Sequence, residues 1–407
     1  VSKWYLLAPY VRALAERTEE FGRPPEDHDA LRRFAEISYS RCVEWFGHPQ
    51  DPKCPYAIRS NDTSYHTYCC FHPYYQLYNI YISDECKGEG NRYSSIGHEM
   101  YHRFTMRREG FFEELWMSEL LAQETAYQLL KENGFEELAE LRRTRICNQL
   151  DGRVDYRMVS TTKRPLGVPG APPYPHEFVV AVNCIAAAFS TVLKWEIMRT
   201  ATRFENMGDW LASLKPAERY CMRRLLNRPF HEDMPELAVE ERARLGAALC
   251  LIGELEQAEE ELRRCLQVAP HNAELRRQLG IVLMRAYKWT EAIYLYDENE
   301  QLGIGNSQMH LNFGRAYMEQ GHYSEALIWL RRACMDPNRQ LSGRWQIAKV
   351  FIRMDKRAWA REIWEEMLVL DREGKFKASV EKELYKYPLP EMVRVKPRRK
   401  QLQVVEV

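Results

Sequence analysis

A set of small residues returns every 34 positions through the second half of the chain and leaves room for one kind of architecture there. Gly246, Gly280, Gly314 and Ala348 stand in one register. An alanine follows twelve positions later each time, as Ala258, Ala292, Ala326 and Ala360. A large apolar residue comes four beyond that, as Leu262, Tyr296, Leu330 and Trp364. Leu249, Leu283, Tyr317 and Phe351 lie three positions after the first small residue, and Pro270 ends the first unit. Small residues at fixed sites let paired helices approach, and large ones fill the hollow between neighbouring pairs. A general 3.6-residue amphipathic period does not place four alanines in one 34-residue register. The pattern therefore predicts four stacked helix pairs over 239–374.

A unit of this length and pattern resembles the tetratricopeptide repeat. The resemblance implies an all-α solenoid with a groove that takes a peptide or protein segment. One variety of the family clamps a terminal carboxylate with lysines and asparagines on the first helices of successive repeats. The matching positions here include Ala243, Ala247, Arg277 and Ile281, which do not make that clamp. Arg277, Asn312 and Arg315 give the groove polar and positive character. A helix predicted over Phe376–Tyr385 caps the last repeat, and 375–407 ends in a basic tail from Arg394 to Lys400.

The first half carries a different signal, His98-Glu99-Met100-Tyr101-His102. Residues four apart on a helix share one face, so both imidazoles reach a single metal ion, and Glu99 projects toward a water bound to it. Zinc chemistry uses this set of neutral nitrogen ligands with a carboxylate base. Tyr78–Ser83 alternates as a strand, Asp84–Asn91 reads as a loop, and a helix is predicted over about 92–107. Gly110 breaks that helix, a second runs over about 114–132, and Gly134 caps it.

The second helix reads Leu115-Trp116-Met117-Ser118-Glu119-Leu120-Leu121-Ala122. At this point the chain resembles the gluzincin metallopeptidases, and the minigluzincin-like catalytic domain in particular. Their third zinc ligand is a glutamate in a W-x-x-E-G-x-A setting; Trp116, Glu119 and Ala122 match it, while Leu120 replaces the glycine. The resemblance implies Glu119 as third ligand, with Glu124 as a rival on the same helix. It implies an α+β zincin-like metallopeptidase domain in front of the solenoid, in a multidomain and mainly helical chain. It further implies a Zn2+ cofactor and peptide-bond hydrolysis with Glu99 as general base. A substrate would lie along an edge strand, Tyr78–Ser83, by strand addition. The partner that stabilises the oxyanion is sought after the third ligand, where Tyr174 and His176 are candidates beside Tyr127 and Tyr156. The amine-capturing segment of gluzincin aminopeptidases is absent from the sequence, which favours an endopeptidase.

The boundaries that follow are a peptidase domain over 1–208, a helical connector over 209–238, four repeats over 239–374 and a capping helix with its tail over 375–407. Between the two halves, Arg164–Pro175 reads as a stiff proline-rich loop, Glu177–Asn206 as a long helix in the lower part of the peptidase domain, and Trp210–Arg228 as a helix of the connector. Lys plus Arg and Asp plus Glu number 58 each, so no net field draws the chain to nucleic acid or membranes. The apolar run Phe178–Leu193 is short for a membrane span and predicts a buried helix. No signal peptide is read at Val1. The eleven cysteines are scattered and odd in number, which points to a reducing, cytoplasmic setting. Cys54, His66, Cys69, Cys70, His72 and Cys86 form one cluster, read as buried thiols ahead of a second metal site or a disulfide. Two functions of different class follow. One is a zinc peptidase whose repeats recruit a substrate or regulator. The other is a repeat scaffold with an inactive or latent metal-binding domain.

Overall fold

The computed structural model describes residues 28–48, 56–61, 68–72, 77–83, 89–105, 115–162, 174–204, 206–228, 235–371 and 376–388. The chain divides into two compact units, Val1–Glu261 and Leu262–Val407. In the first unit, helix α1 (His28–Phe46) is followed by strands β1 (Tyr56–Asn61), β2 (Tyr68–His72) and β3 (Leu77–Ser83). Helices α2 (Glu89–Thr105), α3 (Leu115–Glu132), α4 (Glu136–Cys147), α5 (Tyr156–Thr161) and α6 (His176–Val192) come next. After α7 (Trp195–Met198) and a 3-10 turn (Arg199–Arg203), the chain forms α8 (Met207–Ser213), α9 (Pro216–Leu225) and α10 (Val239–Leu251).

The core of this unit is helix against helix. The run predicted to be buried is buried: Phe178 and every residue from Val180 to Phe189 lie inside α6 with almost no exposure. Helices α3, α4, α5, α9 and α10 all pack on it. Among the described residues no single helix is long and apolar enough to cross a membrane. Helix α1 covers the other side of α2 through aromatic contacts, with Phe34 on Tyr93 at 4.8 Å, Tyr39 on Phe104 at 5.2 Å and Phe46 on Tyr101 at 5.6 Å.

Two corrections follow from this packing. The expected α+β zincin-like domain is not the fold observed. The described structure is overwhelmingly helical, its first core is built around α6, and the strands are confined to three short segments between Tyr56 and Ser83. A β-rich run was enough to suggest a sheet domain; the apolar weight of the chain lies in helices. Secondly, β3 is not an edge. It pairs in parallel with β1 (Tyr56 opposite Tyr78 through Asn61 opposite Ser83) and antiparallel with β2 (Tyr68 opposite Tyr81 through His72 opposite Leu77). Both of its hydrogen-bonding sides are occupied, in the order β1-β3-β2, so a substrate cannot add to it as a strand.

The long helix predicted over 177–206 is broken. It turns by 117° between His176–Val192 and Trp195–Arg203, where Leu193 and Lys194 adopt extended backbone. The helix predicted over 210–228 is likewise two, because Pro216 opens a new helix at its first position and Leu214 is extended.

Helix α11 (Leu255–Val268) is followed in the second unit by three packed helix pairs: α12 (Ala273–Arg285) with α13 (Trp289–Gln301), α14 (Ser307–Glu319) with α15 (Tyr323–Cys334), and α16 (Gln340–Arg353) with α17 (Arg357–Leu370). The division between the units falls within α11. Second helices start at Leu255, Trp289, Tyr323 and Arg357, one every 34 residues. Close approach explains the small residues: a Cβ on Gly280 would sit 2.6 Å from the Tyr296 ring, and one on Gly314 would sit 2.6 Å from Leu330 Cγ. In the last repeats Ala326, Leu330, Ala348, Ala360 and Trp364 join one buried cluster. Helix α18 (Lys377–Lys386) adds Val380 to it, as the predicted cap should.

A second feature keeps the same register. Each first helix ends with a residue in the left-handed region: Gly253 (φ 85), Tyr287 (φ 58), Gly321 (φ 80) and Asp355 (φ 54). The amide of the next residue then reaches back five positions, from Glu254 to Leu249, Lys288 to Leu283, His322 to Tyr317 and Lys356 to Phe351. This reversal satisfies the last carbonyls of the helix and turns the chain into its partner. At Gly321 nothing lies within 4 Å of an added Cβ, so a side chain there meets only backbone strain. Gly321→Ala should therefore lower stability by about 1 kcal/mol, measured as a shift in the denaturation midpoint of the full chain, with helical content unchanged.

Candidate metal centre

Helices α2 and α3 lie side by side because Gly97 permits it. A Cβ at that position would come within 2.9 Å of the Ala126 Cα, a backbone atom that cannot move aside on its own. Met100, Tyr101 and Phe104 on α2, and Trp116, Met117, Leu120 and Leu121 on α3, are buried in the surrounding packing. The next residue after Gly97 is His98, and this close approach brings Glu119 opposite both histidines.

The three predicted ligands meet. His98 Nε2 lies 3.1 Å from His102 Nε2 and 3.2 Å from Glu119 Oε2, and His102 Nε2 lies 3.5 Å from Glu119 Oε1. Atoms placed about 2.0–2.1 Å from one tetrahedral ion are about 3.3 Å from each other. The donor set therefore fits a single zinc-sized ion held by two imidazoles and a carboxylate, with one position left over. Among the described residues this is the group of His, Cys, Asp and Glu that converges in this way. His102, Glu119 and Glu99 are buried. Burial drives the Glu119 carboxyl upward, but the charge and hydrogen bonds of His102, then of His98, outweigh it and hold Glu119 well below the usual carboxylate range. His98 Nδ1 is buried with no hydrogen-bond partner among the described residues.

Of the oxyanion candidates, Tyr174 is brought to the site and His176 is not. The Tyr174 hydroxyl donates to Glu119 Oε1 at 3.1 Å, and its ring stacks on Phe178 at 4.7 Å. His176, exposed at the start of α6, bonds Gln149 Oε1 at 2.8 Å. Tyr156 donates to the Leu225 carbonyl and Tyr127 to Glu140, so both are structural.

Glu124, the rival ligand, is fully buried and spent elsewhere. Its Oε2 pairs with Arg143 at 2.5 Å and its Oε1 accepts from Gln128 at 2.7 Å. Arg143 also donates to Ser190 Oγ at 2.9 Å and lies 3.3 Å above the Tyr127 ring. This pair ties α3 to α4 and α6. Neither Gly97 nor Arg143 was picked out from the sequence. A glycine inside a helical stretch was the available signal for the first, and nothing in spacing marks the second. Of the cysteine cluster, Cys54, His66 and Cys86 lie outside the described residues, while Cys69, Cys70 and His72 fall on β2.

No family model matches the chain, and no curated protein matches it. Among solved structures, a chain titled "MamA MSR-1 C2" matches with a TM-score of 0.33 and 20% identity, covering 48% of this chain and 98% of that one. A likeness of that size carries neither fold nor function, and the peptidase resemblance rests on the residues alone.

Removing Glu124 leaves the half-buried Arg143 without its carboxylate. Glu124→Ala should cost about 1.5–3 kcal/mol, seen as a lowered unfolding midpoint, whereas a ligand role would instead cost metal binding at unchanged apo stability.

Proposed function

We propose that this chain is a protein-recognition scaffold of helical repeats joined to a helical unit that holds one zinc ion at His98, His102 and Glu119. The convergence of those three donors at 3.1–3.5 Å carries the metal assignment. The scaffold assignment rests on the three helix pairs of the second unit in one 34-residue register, whose adjoining first helices offer a surface to a protein segment. No nucleic acid or membrane enters this reading. The described cysteines are free thiols, as suits a reducing compartment, and we place the protein in the cytoplasm.

A second reading, hydrolysis of a peptide bond at the same centre, is favoured by Glu99 and Tyr174. A zinc ion with three protein ligands supplies a Lewis acid and a water with a pKa of about 7. Glu99 follows His98 on α2 and is buried beside the centre, so it is the carboxylate to accept that proton and return it to the departing amine. A scaffold needs the ligands but not this base. Tyr174 holds Oε1 of Glu119, which leaves Oε2 to face His98. To serve a developing oxyanion, its single hydroxyl proton would have to turn away from Glu119.

Metal analysis of the purified full chain should find one zinc per chain, lost in Glu119→Gln. Tyr174→Phe should weaken zinc binding by about tenfold or more, measured by competition with a chelating dye. Glu99→Gln should keep the metal and lower cleavage of a quenched casein substrate by about a hundredfold or more. Zinc-free protein would end the metal assignment and the peptidase with it, while zinc with no Glu99-dependent cleavage would end the peptidase alone. For the repeats, a photo-crosslinker at Ile281 on a first helix should capture protein from extract, and one at Tyr294 on a second helix should not. Equal capture at both would remove the recognition face.

A further inference from the structure

The chain is neutral as a whole, but charge separates sharply within the second unit. Its first helices carry three basic residues on α12, one on α14 and three on α16, against the two acids Glu274 and Glu319. These helices adjoin one another, α12 with α14 and α14 with α16, and so form one layer. Most of the excess is cancelled locally. Arg277 is paired with Glu274 at 2.5 Å, Arg353 with Glu319 at 2.8 Å, and Arg276 with Glu298 at 2.7 Å; Arg344 meets Glu366.

Two cations are left over in the same repeat register, Arg315 on α14 and Lys349 on α16. Both are exposed, and neither has an ion-pair partner among the described residues. Lys349 stands 5.5 Å from the Trp345 ring, and the groups that face it are Arg315 and Arg353 as well as Glu319 and Glu383. Desolvation, then the charge of Arg315, pushes the Lys349 ammonium below its ordinary value, despite the two acids. Arg315 and Lys349 therefore share a field with too little negative charge in it.

Beneath them lies Tyr296. Its side chain is buried, and its hydroxyl sits beside Asn312 without a hydrogen bond of ordinary geometry. Burial raises its pKa, and Asn312, Arg315 and Arg277 offset that only in part. The hydroxyl thus stays protonated and is a donor near two guanidinium groups. Gln278 Oε1, on the same layer, is also buried without a partner. Two unbalanced cations and an aromatic plane on one face are complementary to carboxylates on a flexible chain.

Resting on the scaffold reading above, we propose that the face shared by α12, α14 and α16 binds an acidic peptide segment, whose carboxylates are received by Arg315 and Lys349. The position is not that of the carboxylate clamp, since Ala243 and Ala247 hold the places of the clamp's first basic and amide residues. It is built two and three repeats further on, and Trp345 supplies an apolar contact beside the charge.

The test uses the full chain and three fluorescent peptides of equal length, alternating Ser with Glu, with Gln or with Lys. At low salt the Glu peptide should bind about tenfold or more tightly than the Gln peptide, and salt should weaken it. Reversing both charges, Arg315→Glu with Lys349→Glu, should abolish that preference and confer binding of the Lys peptide, with the helical spectrum unchanged. If the double variant fails to fold, Arg315→Gln and Lys349→Gln singly should each weaken the Glu peptide. Gln or Lys peptide bound as tightly as the Glu peptide would overturn the acidic specificity while leaving a recognition face. Absence of binding by all three, or Glu binding unaffected by the substitutions, would overturn the proposal. Tighter binding of oligouridylate than of the Glu peptide would reassign the face to nucleic acid and overturn it as well.

Discussion

The contact between Gly97 and Ala126 governs everything else at the centre. Two helices with ordinary side chains at their crossing stand farther apart by roughly the reach of those side chains. Here the crossing holds hydrogen on one side and a methyl group on the other, with an added Cβ only 2.9 Å from the opposing backbone. The donors of His98 and Glu119 are 3.2 Å apart, so a separation even an ångström wider would open the set beyond one small ion. The helix repeat places the two histidines on one face, but only the interhelical distance makes Glu119 their companion.

That distance needs support from behind. Glu124 lies five residues after Glu119 on the same helix, and its pair with the half-buried Arg143 is anchored further by Ser190 and the Tyr127 ring. Buried ion pairs add little to stability against an apolar alternative, but they penalise any displacement that strips one charge of its partner. A helix held in this way resists sliding along its axis. Sliding is the motion that would carry Glu119 out of register with His98 and His102, whereas α6 and its apolar packing chiefly resist separation. The two kinds of contact thus restrain different displacements of α3.

What could be read from the sequence follows the range of the interaction. The repeats were legible because each pair makes the same local contact, and the residues that permit it, such as Gly280, Gly314 and Ala326, recur at a fixed spacing. The left-handed turn positions share that spacing, yet only two of the four are glycine; Tyr287 and Asp355 hide the other two. His98 and His102 were legible from helical geometry, and Glu119 from the tryptophan and alanine that flank it. The strand was legible too, but not its place in the sheet, because the pairing of β3 on both sides depends on segments that alternation cannot align. The central helix misled in the opposite sense: its apolar run predicted burial correctly, yet not that burial around it would make the first unit helical. The break after Val192 was invisible because no proline or glycine marks it.

The acidic side of the charge balance shows why formal neutrality says little about partners. Helix α13 carries Glu291, Asp297, Glu298 and Glu300 and no basic residue, while α12 beside it is basic. A net charge of zero summed over such layers is compatible with a strong local field, because screening in salt acts over about 8–10 Å, less than the span of several stacked helices. Arg276 and Glu298 join the layers and cancel, since one lies on each helix of a pair. Arg315 and Lys349 occur at equivalent places on neighbouring first helices, so the stacking that satisfies the apolar positions also brings like charges together. The acids of the layer are already engaged, Glu274 by Arg277 and Glu319 by Arg353. A complementary charge has to come from outside the layer, and the nearest acids, Glu319 and Glu383, do not bring Lys349 back to its ordinary value.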